Sequence, residues 1–218
     1  MRSTATSLLF AALLAFGAVP AHAAGVGAFL GVNRGGISGD APPDAEYGGQ
    51  AGLIAGVQAE ISLTREISLS LQPMYVMRGA AVLVADSTSR SDEPARELEL
   101  ALDYFAVPVV MKIAAAGGRT YVTGGVDIAF LSAASLSEGG LDRDVKTAFQ
   151  DVDVGALLGF GVVFPIGRPR LTVEARYVQG LVNLAGDAEG VPTPNLPDRF
   201  RSNGIQLTAG ILIPLGRP

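Results

Sequence analysis

The feature that most constrains this chain is a two-residue hydropathy period that returns eight times along it. Strict alternation puts successive side chains on opposite faces, so each run reads as a β-strand with one apolar face. In the clearest run, Ile205, Leu207, Ala209, Ile211, Ile213 and Leu215 are interleaved with Gln206, Thr208 and Gly210. Leu171, Val173, Ala175 and Tyr177 alternate with Thr172, Glu174 and Arg176. Val152, Val154, Ala156, Leu158, Phe160, Val162 and Phe164 alternate with Asp153, Gly155, Gly159 and Gly161. Leu53 to Leu63 and Ile67 to Leu71 repeat the pattern, the latter face continuing through Tyr75 and Met77 up to Arg78. Val26, Ala28, Leu30 and Val32 give a first strand, and Val122, Val126, Ile128 and Phe130 a fifth. The fourth, residues 97–113, opens with Leu98, Leu100, Leu102 and Tyr104 outward. It then changes phase to Phe105, Val107, Val109, Met111 and Ile113, which predicts a β-bulge near Tyr104–Pro108.

The connections alternate in length. Short ones fall at residues 64–65, 115–118 and 166–169, and long ones at 35–48, 81–96, 135–149 and 185–201. Short turns at one end and long loops at the other are the pattern of an outer-membrane barrel. Each strand reaches the ~9–11 residues that cross a bilayer at a tilt. The predicted fold is therefore all-β: an eight-stranded antiparallel up-and-down transmembrane β-barrel, with both termini on the short-turn, periplasmic side.

Alternation alone is symmetric under inversion, because a soluble barrel would bury the apolar face and a membrane barrel would turn it to lipid. Three features favour the membrane form. The apolar face is thin (Ala28, Ala55, Ala59, Ala156, Ala175, Ala209), which would fill a soluble core poorly. The polar face carries Gly155, Gly159, Gly161 and Gly210, which suit a crowded lumen. Its charges are of mixed sign and can pair; they include Arg78 and Glu99 as well as Glu60, Lys112, Asp127, Asp153, Glu174 and Arg176. We take the last six as a luminal polar network with a structural role, since charges in a narrow lumen are costly unless paired.

Residues 1–23 read as a secretory signal peptide, leaving residues 24–218 as the barrel domain. Arg2 is the positive n-region, residues 8–19 are an apolar run, and Ala21-His22-Ala23 is an A-x-A cleavage site. The apolar run is shorter than the ~20 residues of a transmembrane helix. Cleavage would remove the chain's one histidine, leaving 15 basic against 21 acidic residues. Twelve of those acidic and six of the basic residues lie in the four long loops. A negative net charge argues against nucleic acid as a partner. With no cysteine there is no disulfide, thiolate metal site or thiol nucleophile.

No catalytic, cofactor-binding or metal-binding residue is expected. Gly25-Val26-Gly27-Ala28-Phe29-Leu30-Gly31 is one residue too long for a dinucleotide fingerprint, with no strand before it and no helix after it. Asp151-Val152-Asp153 lacks the further ligands of a calcium loop. Without histidine the mature chain has no Ser-His or Asp-His pair, and an eight-stranded lumen is filled by side chains rather than by an aqueous channel.

Leu71-Gln72-Pro73-Met74-Tyr75 with Gly79, and Leu102-Asp103-Tyr104-Phe105-Ala106-Val107-Pro108, resemble strands of the PorT-like outer-membrane β-barrel family. So do residues 121–130, Asp151-Val152-Asp153-Val154-Gly155 leading to Gly159-Phe160-Gly161, and Glu174-Ala175-Arg176-Tyr177 with Gly180-Leu181. The likeness spans residues 25–215. It implies an outer-membrane barrel, one branch of the family taking part in protein secretion. The chain departs from the usual outer-membrane ending, a terminal aromatic, by closing on Pro214-Leu215 and a Gly216-Arg217-Pro218 tail.

The expected role is non-enzymatic: structural, interactive or accessory to secretion. The expected partners are outer-membrane lipid and an envelope protein met through the long loops. Two alternatives stand beside it, a soluble periplasmic barrel binding a small apolar ligand and a lipid-modifying outer-membrane enzyme.

Overall fold

A computed structural model describes residues 24–38, 45–84, 96–138, 141–184 and 200–215. The predicted signal peptide, residues 1–23, lies outside the described residues. Eleven strand segments follow one another: β1 (Ala24–Ser38), β2 (Ala45–Ser62), β3 (Ile67–Leu71), β4 (Met74–Val84), β5 (Arg96–Ala106), β6 (Val109–Ala114), β7 (Thr120–Glu138), β8 (Leu141–Asp144), β9 (Val152–Pro165), β10 (Arg170–Gly180) and β11 (Arg201–Pro214). Every pairing is antiparallel, and β1 pairs with both β2 and β11, which closes the sheet.

Ten of the eleven segments make eight staves. β3 and β4 are one stave interrupted at Gln72–Pro73, and β5 and β6 another interrupted at Val107–Pro108. Each interruption is a proline, which has no N–H to give to the ladder. Around both prolines the pairing continues: Val57 N–H donates to Pro73 O (3.0 Å), Gln72 N–H to Pro108 O (3.0 Å) and Val107 N–H to Ile128 O (2.8 Å). β8 is a short hairpin strand added to the loop end of β7. Among the described residues no helix is long and apolar enough to cross a membrane.

The tight turns lie where the sequence places them. Gly117 and Gly118, with φ of 95° and 66°, reverse the chain between β6 and β7, and Gly167 (φ 72°) does so between β9 and β10. L side chains rarely adopt these angles. The loop side differs in extent. Residues 35–38, 45–48, 81–84 and 135–138, expected in loops, belong to strands that run on: 35–38 pair with 201–204, 45–48 with 81–84, and 135–138 with 98–101.

The orientation of the faces resolves the inversion. Leu30, Leu158 and Ile205 are 62–70% exposed on the outside, whereas Asp127 and Asp153 are 1% exposed within. An exposed girdle of Val, Leu, Ile and Phe around buried charges is unsuited to water and suited to lipid. The soluble alternative is therefore set aside.

The fourth stave corrects the sequence reading. Leu100, Leu102 and Tyr104, expected outward, are buried in the lumen, while Glu99, expected inside, is exposed. Facing does not change along this stave, because Val110 and Lys112 also point inward. No bulge lies at Tyr104–Pro108. The extra residue sits across the ladder on β7, where Asp103 pairs with Ala133 and Tyr104 with Leu131, leaving Ser132 unmatched.

Candidate functional site: the luminal network

The inward positions of β4, β7, β9 and β11 bring together the first cluster. Arg78 is held between two carboxylates: one end nitrogen donates to Asp127 Oδ2, the other to Asp153 Oδ2 at 3.1 Å. Ser202 Oγ donates to the same Asp153 oxygen at 2.6 Å. The guanidinium lies over the Tyr104 ring, 5.2 Å from its centroid. Asp127 Oδ1 and Asp153 Oδ1 are buried with no hydrogen-bond partner among the described residues, so both carboxylates depend on Arg78 for counter-charge.

The second cluster lies toward the short turns. Lys112 pairs with Glu60 at 2.8 Å and lies 3.4 Å from Gln58 Oε1. Its ammonium lies 5.4 Å from the centroid of Tyr121. Tyr121 Oη donates to Glu174 Oε2 (3.0 Å), and Thr123 Oγ1 lies 3.5 Å from Glu174 Oε1. Arg176 donates to Gln72 Oε1 (2.9 Å) and lies 3.9 Å from Glu174. Tyr121 has room because its cross-strand partner is Gly161, where a Cβ would fall within the phenol ring.

The six residues singled out from sequence thus separate into two groups. Asp127 and Asp153 form one around Arg78, while Glu60 with Lys112 and Glu174 with Arg176 form the other. Arg78, which joins the first pair, lies on the polar face by its period and is a member of the network that the six residues do not include. The available signal was charge balance, since Asp127 and Asp153 are neighbours in the barrel without a cation of their own.

The lumen is not polar throughout. Toward the loop end β5 and β7 contribute Leu100, Leu102 and Leu131, and Val145, Phe149, Leu184 and Phe200 pack with them from the loops. Phe149 and Phe200 meet edge to face with centroids 5.9 Å apart. Backbone bonds hold this cap: Gln150 N–H to Leu184 O (3.1 Å), Leu184 N–H to Phe200 O (3.0 Å) and Val145 N–H to Ala134 O (3.0 Å).

Chemically the arrangement is one of paired charges, four carboxylates sharing three cations. Its carboxylates accept from guanidinium, ammonium, phenol or hydroxyl groups within the wall. Among the described residues no group of three or more His, Cys, Asp or Glu is disposed to hold a metal ion.

Comparison with solved structures finds barrels of the outer membrane. OprG from Pseudomonas aeruginosa is 8% identical and superposes with a TM-score of 0.51, over 90% of this chain and 97% of that one. Ail of Yersinia pestis, solved with a heparin analogue, is 10% identical (TM-score 0.47, 87% and 99% covered). Neisserial surface protein A is 14% identical (TM-score 0.45, 86% and 96% covered). At these identities OprG supports a likeness of fold alone. No curated protein matches the sequence. The model of the outer membrane protein beta-barrel domain matches residues 15–186. With strands that close on themselves, an apolar exterior and a charged interior, this chain belongs to the outer membrane protein beta-barrel domain family and is a protein of the outer membrane.

Proposed function

We propose that the barrel is a closed, non-enzymatic scaffold with a structural or interactive role in the cell envelope, exercised by its outer loops on an envelope protein. The single observation that carries this is the occupation of the lumen. Among the described residues Arg78 is committed to Asp127 and Asp153, Lys112 to Glu60, and Glu174 to Tyr121 and Arg176, so the luminal charges are engaged with one another. Above them Phe149 and Phe200 meet edge to face and pack with Leu100, Leu102 and Leu131 at the loop end. A scaffold occupied in this way leaves binding to its loops. The resemblance to the PorT-like family supports an accessory part in secretion as one form of this role.

The test has two arms. Purified protein in a planar bilayer should give no conductance above leak. A photo-crosslinker placed within residues 185–199 on intact cells should trap an envelope protein that is absent when that loop is replaced by a short Gly-Ser turn. Steady ion conductance would overturn the closed scaffold. Turnover of outer-membrane lipid that disappears in Glu174→Gln would overturn the non-enzymatic reading.

A further inference from the structure

We infer that the outer face of the barrel at β1 and β11 binds the phosphate of an outer-leaflet lipid, with Arg34 as its ligand. The site arises from a parting of strands. β1 and β2 pair only as far as Gly35 with Gln50; beyond that β1 stays with β11 up to Ser38 paired with Arg201, while β2 turns to β4. The opening leaves a bowl of about 270 Å³ bordered by Arg34, Tyr177, Asn203 and Ile205, with Gly36 and Gly49 in its floor. Glycine keeps it open: a Cβ at Gly49 would stand 3.1 Å from Arg34 Nε, and one at Gly36 3.0 Å from Asn203 Oδ1.

Its position matches that of a headgroup. Going up from the short turns, the outward pairs on β1 and β11 are Val26–Ile213, Ala28–Ile211, Leu30–Ala209 and Val32–Leu207, all apolar. The next, Arg34–Ile205, extends across β10 to Tyr177, and the row after it is Gly36, Asn203 and Gln179. Acyl chains on the apolar rows would bring their headgroup to the arginine. Arg34 is exposed and has no carboxylate partner among the described residues. On β1, β10 and β11 no described carboxylate faces outward, and Arg201 adds a second exposed cation two rows above, in a chain of net charge −5. A guanidinium fork with nearby amide donors suits the oxygens of a phosphomonoester.

The test uses the whole barrel in nanodiscs doped with lipid A, with retained lipid counted by native mass spectrometry. The wild type should keep lipid A and release its dephosphorylated form. Arg34→Gln and Gly49→Val, the second filling the bowl without changing charge, should each retain it at least about tenfold less, while Arg170→Gln at the opposite end should match wild type. Heat-modified gel mobility shows that each variant is folded. Equal retention by Arg34→Gln, equal retention of the dephosphorylated lipid, or displacement by millimolar inorganic phosphate would each overturn the proposal.

Discussion

Arg78 on β4 and Asp153 on β9 are 75 positions apart in the chain and 3.1 Å apart in the lumen, joined across the barrel rather than along its wall. Asp127 holds the other end of the same guanidinium. This tie between distant staves underlies the first prediction.

Arg78→Ala should be the most damaging single change in the lumen. It leaves two buried carboxylates without counter-charge, a loss of roughly 3–5 kcal/mol when one partner of a buried pair is removed. Urea unfolding of the barrel in detergent micelles, followed by heat-modified mobility, measures it. A midpoint equal to wild type would show that the tie carries no stability.

Arg176→Ala should cost less, about 1–3 kcal/mol. Glu174 would keep Tyr121 as donor, and Gln72 would keep its contact with Ser70. The same unfolding series should therefore rank the Arg78 variant below the Arg176 variant.

Gly161→Val should disturb assembly because its side chain would occupy the space of the Tyr121 ring. Overpacking of this kind costs about 1–3 kcal/mol. Adding Tyr121→Ala should recover part of that loss by removing the obstacle. A double variant no better than Gly161→Val would place the glycine's role elsewhere.

Phe149→Ala should loosen the loop-side cap by roughly 3 kcal/mol, a usual loss for a buried phenylalanine. The barrel below should stay intact. Limited proteolysis on whole cells should then cut between β10 and β11 faster than in wild type, with unchanged heat-modified mobility.

The scaffold was legible in the sequence wherever the two-residue period was clean. Ile205 to Ile213 and Leu171 to Tyr177 alternate without interruption, and their facing follows directly. The fourth stave was misread because its leucines follow a different rule. Leu100 and Leu102 point inward, where the loop residues Phe149, Leu184 and Phe200 cover them. Hydropathy cannot distinguish a leucine facing lipid from one facing an apolar plug. The Ser132 bulge was equally hidden, because Ser132, Ala133 and Ala134 carry no contrast to mark a phase. The luminal charges were visible one strand at a time, but their partners were not. Pairing across the barrel depends on stagger between staves, which a single sequence does not express; hence Arg78 was separated from Asp127 and Asp153.

The most direct test of the polar-inside, apolar-outside arrangement uses the absence of cysteine from the chain. Single cysteines placed at 205 to 211 on β11, each carrying an environment-sensitive fluorophore, are reconstituted into bilayers containing brominated lipid. The account predicts quenching at 205, 207, 209 and 211 and none at 206, 208 and 210. Quenching at the even positions, or equal quenching at all seven, would contradict it.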